Sequence, residues 1–131
     1  MTPTRPDPEV VALTADLVRI DSSNPTLAPD GAGETKIADY CAAWLDARGF
    51  TIVRLESRPE RPSILATGAG RGGGRSIMLN GHLDTVSLTS YDGDPLDPVT
   101  ESGRLHGRGS YDMKAMRRVR LVRVIGAPDQ R

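Results

Sequence analysis

The chain is poor in cysteine, histidine and aromatic residues: its 131 residues include one cysteine, two histidines and 4% aromatics. A single cysteine, Cys41, excludes a disulfide framework and a cluster of thiolate metal ligands, and is typical of a reducing compartment. No apolar run is long enough to cross a membrane, and the first eight residues lack the apolar core of a signal peptide. We therefore expect a cytoplasmic protein with the length of one domain and no membrane partner.

The net charge of zero hides an asymmetry between the body of the chain and its end. Residues 1–112 contain 11 Lys and Arg against 16 Asp and Glu, whereas residues 113–131 contain 6 against 1. Such a reversal is compatible with a basic arm that binds nucleic acid. It is equally compatible with a terminal segment that is foreign to the fold, and both interpretations stay open at this point.

Two amphipathic helices are predicted in the first half of the chain. The first begins at Asp7-Pro8, which suits a cap and a first helical turn, and continues to about Ile20. The second runs from about residue 34 to 48, with Gly49 at its C-cap. Its predicted core face comprises Ile37, Tyr40, Cys41, Trp44 and Leu45.

Three apolar runs that follow the helices are predicted strands, at residues 50–56, 63–67 and 76–80. The order of elements favours an α/β domain with a mixed β-sheet and flanking helices. Gly68, Gly70 and Gly73 match GxGxxG but join two predicted strands, which favours a hairpin loop over a dinucleotide site. The acidic residues within 87–103 do not follow the EF-hand order, so we expect a solvated loop there.

Two short motifs carry the chemistry of this sequence. His82 and Asp84 are two residues apart after an apolar run, so in an extended segment both side chains face the same side. Imidazole is a good ligand for zinc and similar ions, and a carboxylate nearby can hold its second nitrogen. Asp112 follows Gly107 and Gly109, whose flexible backbone lets a carboxylate approach the same place and bridge two cations.

The sequence resembles the M20 family of metallopeptidases from about residue 9 to 115. The resemblance rests on three segments: residues 80–86 (NGHLDTV), residues 103–114 (GRLHGRGSYDMK), and the opening residues 17–25 (LVRIDSSNP). The family includes acetylornithine deacetylase, succinyl-diaminopimelate desuccinylase, aminoacylase and carboxypeptidase G-type enzymes. The resemblance implies the N-terminal part of a zinc-aminopeptidase-like catalytic domain, here incomplete.

The resemblance also implies a role for each motif residue. His82 would bind one metal ion, Asp112 would bridge two, and Asp84 would complete the catalytic set by orienting His82. The peptide bond after Asp112 would be cis. His106 would have no metal role, and Arg108 and Lys114 would be structural partners of the acidic site.

The implied cofactors are two divalent ions, with zinc expected and cobalt or manganese as alternatives. The implied reaction is hydrolysis of the amide bond of small N-acyl amino acids or peptides, with no nucleic-acid partner. The full-length relatives are expected to be homodimers.

The resemblance ends near Lys114, where the family continues into a small-residue helix and, further on, a glutamate pair. Residues 115–131 instead alternate arginine with apolar residues. We therefore divide the chain into residues 1–114, the M20-like part, and residues 115–131, a divergent basic tail produced by a frameshift or truncation. Two ligands do not close a dinuclear site, so we expect weak metal binding and little turnover. The alternatives are a non-catalytic remnant or pseudoenzyme, and a nucleic-acid-binding protein that uses residues 117–123.

Overall fold

The computed structural model describes residues 7–70 and 75–115, and in them helices precede strands. This arrangement confirms the α/β class. The helices are α1 (Pro8–Val18) and α2 (Thr35–Asp46), the strands are β1 (Thr51–Leu55), β2 (Ser63–Thr67), β3 (Val99–Glu101) and β4 (Arg104–His106), and a short helical turn spans Ser110–Lys114.

The two helices form as the sequence predicts, because their caps and apolar faces are local features. The Asp7 carboxylate accepts a hydrogen bond from the backbone N–H of Glu9 at 2.9 Å, which satisfies one of the N–H groups at the start of α1. Beyond α2, Gly49 has a φ of +82°, a conformation that glycine adopts without strain. The core cluster joins the predicted faces of both helices and comprises Leu13, Leu17, Ile37 and Cys41, with Tyr40 and Trp44 packed at its edge.

The first hairpin also follows the prediction. Strands β1 and β2 pair antiparallel with Thr51 opposite Thr67 and Leu55 opposite Ser63, and α2 packs against both strands. At the end of α2, the Arg48 guanidinium lies 3.4 Å from the centroid of the Trp44 ring. This hairpin and the two helices form the part of the molecule that supports the motif segments.

The strand predicted at residues 76–80 is absent from the described structure, because an extended segment becomes a strand only when a neighbour pairs with its backbone. Its apolar side chains are left in solvent, with Ile77 53% and Met78 80% exposed. In place of one mixed sheet, the described residues form two antiparallel ladders, β1–β2 and β3–β4, and one isolated parallel bridge between Ser23 and Thr85. Among the described residues, no strand at 76–80 pairs with β2 to form the predicted hairpin, and residues 71–74, which include Gly73, lie outside the described residues.

The segment 87–103, predicted to be a solvated loop, contains strand β3 and leads into β4. Ser102 and Gly103 between these strands have φ values of +50° and +76°, which is the backbone of a two-residue hairpin turn. The Ser-Gly pair flanked by Val-Thr-Glu and Arg-Leu-His is the signal that predicts this hairpin. It was missed because the acidic residues before it dominate the composition.

The segment that leaves α1 holds both motif segments in place. The backbone N–H of Thr85 donates to the carbonyl of Ser22 at 2.9 Å, and the backbone N–H of Asn24 donates to the carbonyl of Thr85 at 2.9 Å. Lys114, 2% exposed, donates from Nζ to the carbonyl of Ile20 at 2.8 Å. Both motifs are thus attached to the end of the same helix. Among residues 7–70 and 75–115, no helix combines the length and the apolar character that a bilayer crossing requires.

Candidate metal centre

The imidazole of His82 lies between the two predicted carboxylates. Its Nδ1 is 3.0 Å from the backbone carbonyl oxygen of Asp84 and 3.1 Å from Oδ1 of the same residue. Its Nε2 is 3.1 Å from Oδ1 of Asp112. The structure therefore brings together all three residues that the sequence assigned to the site.

These contacts favour one of the two nitrogens of a neutral His82 as the position of the proton. Nδ1 faces two oxygens of Asp84 whereas Nε2 faces one oxygen of Asp112, so the larger number of acceptors favours the proton on Nδ1. Nε2 then has a lone pair that faces a carboxylate oxygen of Asp112. Two such atoms at this distance repel each other unless a proton or a metal cation lies between them.

The separation between Nε2 of His82 and Oδ1 of Asp112 fits two ligands of one metal cation. With zinc–nitrogen and zinc–oxygen bonds of about 2.0–2.2 Å, two tetrahedral ligands lie about 3.3 Å apart. The observed separation of Nε2 from the Asp112 oxygen is 3.1 Å. In the part of the chain that the structure describes, no group of three or more His, Cys, Asp or Glu side chains is arranged to hold a metal ion. Among the described residues, His82 and Asp112 therefore fit a metal ion as two ligands of an incomplete set.

Asp84 is held on both of its oxygens. While Oδ1 faces His82, Oδ2 accepts a hydrogen bond from the Nδ2 of Asn24 at 2.7 Å. The side chain of Asp84 is only 25% exposed, compared with 48% for His82. Asn24 was given no role by the sequence analysis because it lies 60 residues from Asp84. The only signal for it was its place in the opening segment that carries the family resemblance.

Asp112 approaches His82 from the short turn Ser110–Lys114, and its side chain is 77% exposed. The peptide bond between Asp112 and Met113 is cis, as the resemblance implied. Met113 is buried, and its Sδ accepts a hydrogen bond from the backbone N–H of His82 at 3.5 Å. The side chain after Asp112 therefore contacts the backbone of the histidine that faces it.

Two clefts meet at this histidine. One, with a volume of about 430 Å³, is lined by His82, Asp84, Asp112, Arg108 and Tyr111 among others. The other, of about 680 Å³, also contacts His82 and Asp84 and runs between β2 and the segment 76–81. The cluster is thus open to a small ligand on two sides.

The remaining predicted neighbours of the site have other contacts. Arg108 donates from Nη2 to the carbonyl of Thr89 at 3.3 Å and lies 5.2 Å from the centroid of the Tyr91 ring, so it organises the loop before β3. Lys114 bonds to the end of α1, as described above. The bonds named here go to main-chain carbonyls, and the role of both side chains as structural partners of the acidic site stays a prediction. His106 is an exposed residue of β4 and lines neither cleft.

The basic tail lies outside the described residues, except for Ala115. The frameshift or truncation, the domain boundary at residue 114 and the nucleic-acid interpretation of residues 117–123 therefore stay predictions.

The described part of the chain is thus an α/β unit in which α2 packs on the β1–β2 ladder and a histidine lies between two carboxylates at a cleft. The family model of the Peptidase family M20/M25/M40 matches residues 78–121, which confirms the resemblance to the M20 family in this part of the chain. The matched range includes His82, Asp84 and Asp112.

Relatives extend the likeness over most of the chain. The succinyl-diaminopimelate desuccinylase of Methylobacterium nodulans is 36% identical over 112 residues, which cover 82% of this chain and 26% of the relative. The protein of the same name from Dinoroseobacter shibae is 33% identical over 108 residues, covering 80% of this chain and 26% of the relative. A third protein of the same name, from Methylobacterium sp. strain 4-46, is 36% identical over 117 residues, which cover 86% of this chain and 27% of the relative. The chain thus spans about a quarter of the length of the curated relatives that it matches.

Proposed function

We propose that this chain is part of a metal-dependent hydrolase that cleaves the amide bond of small N-acyl amino acids or peptides in the cytoplasm. The observation that supports the proposal most directly is the position of His82, with Nε2 at 3.1 Å from Asp112 and Nδ1 at 3.1 Å from the Asp84 carboxylate. The desuccinylase names of the relatives favour N-succinyl amino acids among the substrates.

The three residues have distinct roles in this proposal. His82 offers the Nε2 lone pair as a ligand, and Asp112 offers carboxylate oxygens that can bridge two cations. Asp84 accepts a hydrogen bond from the Nδ1–H group, which keeps the ring in the orientation and tautomer that a metal ligand requires. When bound, two divalent ions (zinc, with cobalt or manganese as alternatives) supply the Lewis acidity that polarises an amide carbonyl and activates water.

The described ligands are fewer than a closed dinuclear site needs. We therefore expect the 131-residue chain to bind metal weakly and to hydrolyse N-acyl amino acids slowly or not at all. A turnover assay with N-succinyl and N-acetyl amino acids and added zinc tests this expectation. Hydrolysis that is rapid in the wild-type chain and lost in His82→Ala would contradict it, and would show that this chain alone completes the site.

The metal role of His82 is tested by titrating the chain with zinc or cobalt and comparing two variants. His82→Ala removes a ligand, so its metal affinity should fall by more than the roughly 10–100-fold that the loss of an orienting partner causes. His106→Ala is the matched control, because His106 is an exposed histidine of β4 that lines neither cleft. Equal affinities for the two variants would refute the proposed site.

A further inference from the structure

Asn24 connects the segment after α1 to the site, because both the oxygen and the nitrogen of its side-chain amide make hydrogen bonds. Its Oδ1 accepts from the backbone N–H of Thr26 at 2.8 Å, and its Nδ2 donates to Oδ2 of Asp84 at 2.7 Å. The first bond decides the second, because an oxygen that accepts from Thr26 leaves the NH2 group to face Asp84. The amide of Asn24 therefore has one orientation that satisfies both partners.

The backbone of Asn24 is fixed as well. Its N–H donates to the carbonyl of Thr85 at 2.9 Å, within the parallel bridge that joins Ser23 to Thr85. Thr85 is the residue after Asp84 and is 4% exposed. The same short segment thus holds the main chain next to Asp84 and one oxygen of its side chain.

We propose that Asn24 is a positioning residue for the metal site: it holds Asp84 so that Oδ1 faces His82, and it thereby keeps Nε2 of His82 aimed at the cation. Without the Asn24 amide, Oδ2 of Asp84 loses the partner at 2.7 Å and the carboxylate is able to rotate away from Nδ1. The imidazole would keep the carbonyl of Asp84 as an acceptor but lose the carboxylate. This inference rests on the metal role proposed above for His82.

The test is a double-mutant cycle on zinc affinity, measured with the full chain and zinc alone as the ligand. Asn24→Ala should weaken zinc binding about tenfold or more, the range found when an orienting partner of a ligand is lost. Because Asn24 acts through Asp84, the same substitution should have little further effect in an Asp84→Ala background. Thr26→Ala is the matched control, since it keeps the backbone N–H that fixes Asn24 and should leave zinc affinity unchanged.

A purely structural role for Asn24 predicts a different result. In that case Asn24→Ala would lower zinc affinity by the same factor with and without Asp84, and this additivity would overturn the proposal. An unchanged zinc affinity in folded Asn24→Ala would overturn it too.

A second measurement does not require metal. In the metal-free chain, Asn24→Ala should accelerate the exchange of the Nδ1 proton of His82 with water at least severalfold relative to the wild type, as followed by NMR. If Asn24→Ala does not fold, Asn24→Asp replaces it in this measurement, since that side chain can still accept from Thr26 but no longer donates to Asp84. Unchanged exchange in the folded variant would overturn the proposal. Absence of zinc binding to the wild-type chain would instead refute the metal site, while the exchange data would still decide the role of Asn24.

Discussion

His82 shows how much of a site is present in local sequence. Its spacing from Asp84 places both side chains on one side of an extended segment, and the structure has the two in contact. Asp112, 30 residues away, was linked to them by the flexible glycines that precede it and by the family resemblance. Asn24 was missed because the pairing of Ser23 with Thr85 depends on tertiary structure, which the sequence pattern does not contain.

Tyr40 carries a pH dependence of stability that is separate from the site. Burial raises the pKa of the Tyr40 hydroxyl, and the hydrogen bond that it donates to Asp16 at 3.0 Å raises it further. Because the folded pKa lies above the unfolded value of about 10, the contribution to stability is complete below pH 10 or so and is lost as the pH rises through the folded pKa.

We expect Tyr40→Phe to lower the free energy of unfolding near neutral pH. The variant should also lack the loss of unfolding free energy that the ionisation of Tyr40 causes above about pH 10. The measurement is urea unfolding of both chains from about pH 8 to about pH 11. Tyr111→Phe is the control, because Tyr111 is 91% exposed. Parallel pH profiles for wild type and Tyr40→Phe would contradict the prediction.

Helices and the first hairpin were predictable because each depends on residues close together in sequence. The apolar residues on the helix faces that contain Leu13 and Ile37 recur at helical spacing. Strands β1 and β2 lie near their predicted bounds. The run at 76–80 has the same strand-like composition but forms no strand in the described structure. Amino-acid composition indicates which segments can adopt an extended conformation, whereas hydrogen bonding to a neighbouring strand decides which of them become strands.

The glycine before the turn Ser110–Lys114 is required by close packing as well as by its backbone. A Cβ on Gly109 would lie 2.7 Å from Cγ2 of Thr85 and 2.9 Å from Cδ of Lys114. Gly93 has a similar φ, +89° against +82°, but nothing lies within 4 Å of the Cβ position. The two glycines therefore differ mainly in steric contact.

Gly93→Ala should cost about 1–2 kcal/mol of unfolding free energy, because alanine is strained at positive φ. Gly109→Ala should cost about 1–3 kcal/mol more, because the added methyl group overlaps Thr85 and Lys114. Urea unfolding of both variants measures the difference. A loss of stability that is equal in the two would mean that the contacts of Gly109 do not restrain the turn.

Across the whole molecule, apolar surface is distributed unevenly. Ile77 and Met78 are exposed on the segment before the site, and Val53, Leu55 and Leu65 are exposed on the first hairpin. Met113, in contrast, is 8% exposed beneath His82. Exposed apolar residues that lie close together on a surface favour association between copies of the chain.

Met78→Lys should leave the unfolding free energy within about 0.5 kcal/mol of the wild-type value, because the side chain is already in solvent. It should also reduce self-association, as measured by light scattering against concentration. Met113→Lys is the matched comparison and should cost about 3 kcal/mol or more, because it buries a charge in place of a thioether. Equal stabilities for the two variants would contradict the burial that distinguishes them.

The contacts in and around the histidine cluster connect distant parts of the chain, and they should form late in folding. They join residues 30, 60 and 94 positions apart, the last being the hydrogen bond from Lys114 to Ile20. Closing such large loops costs entropy that local helices do not, so these contacts should form after the helices and the first hairpin. During synthesis on a ribosome, the cluster can be assembled only after nearly the entire described chain has emerged from the exit tunnel.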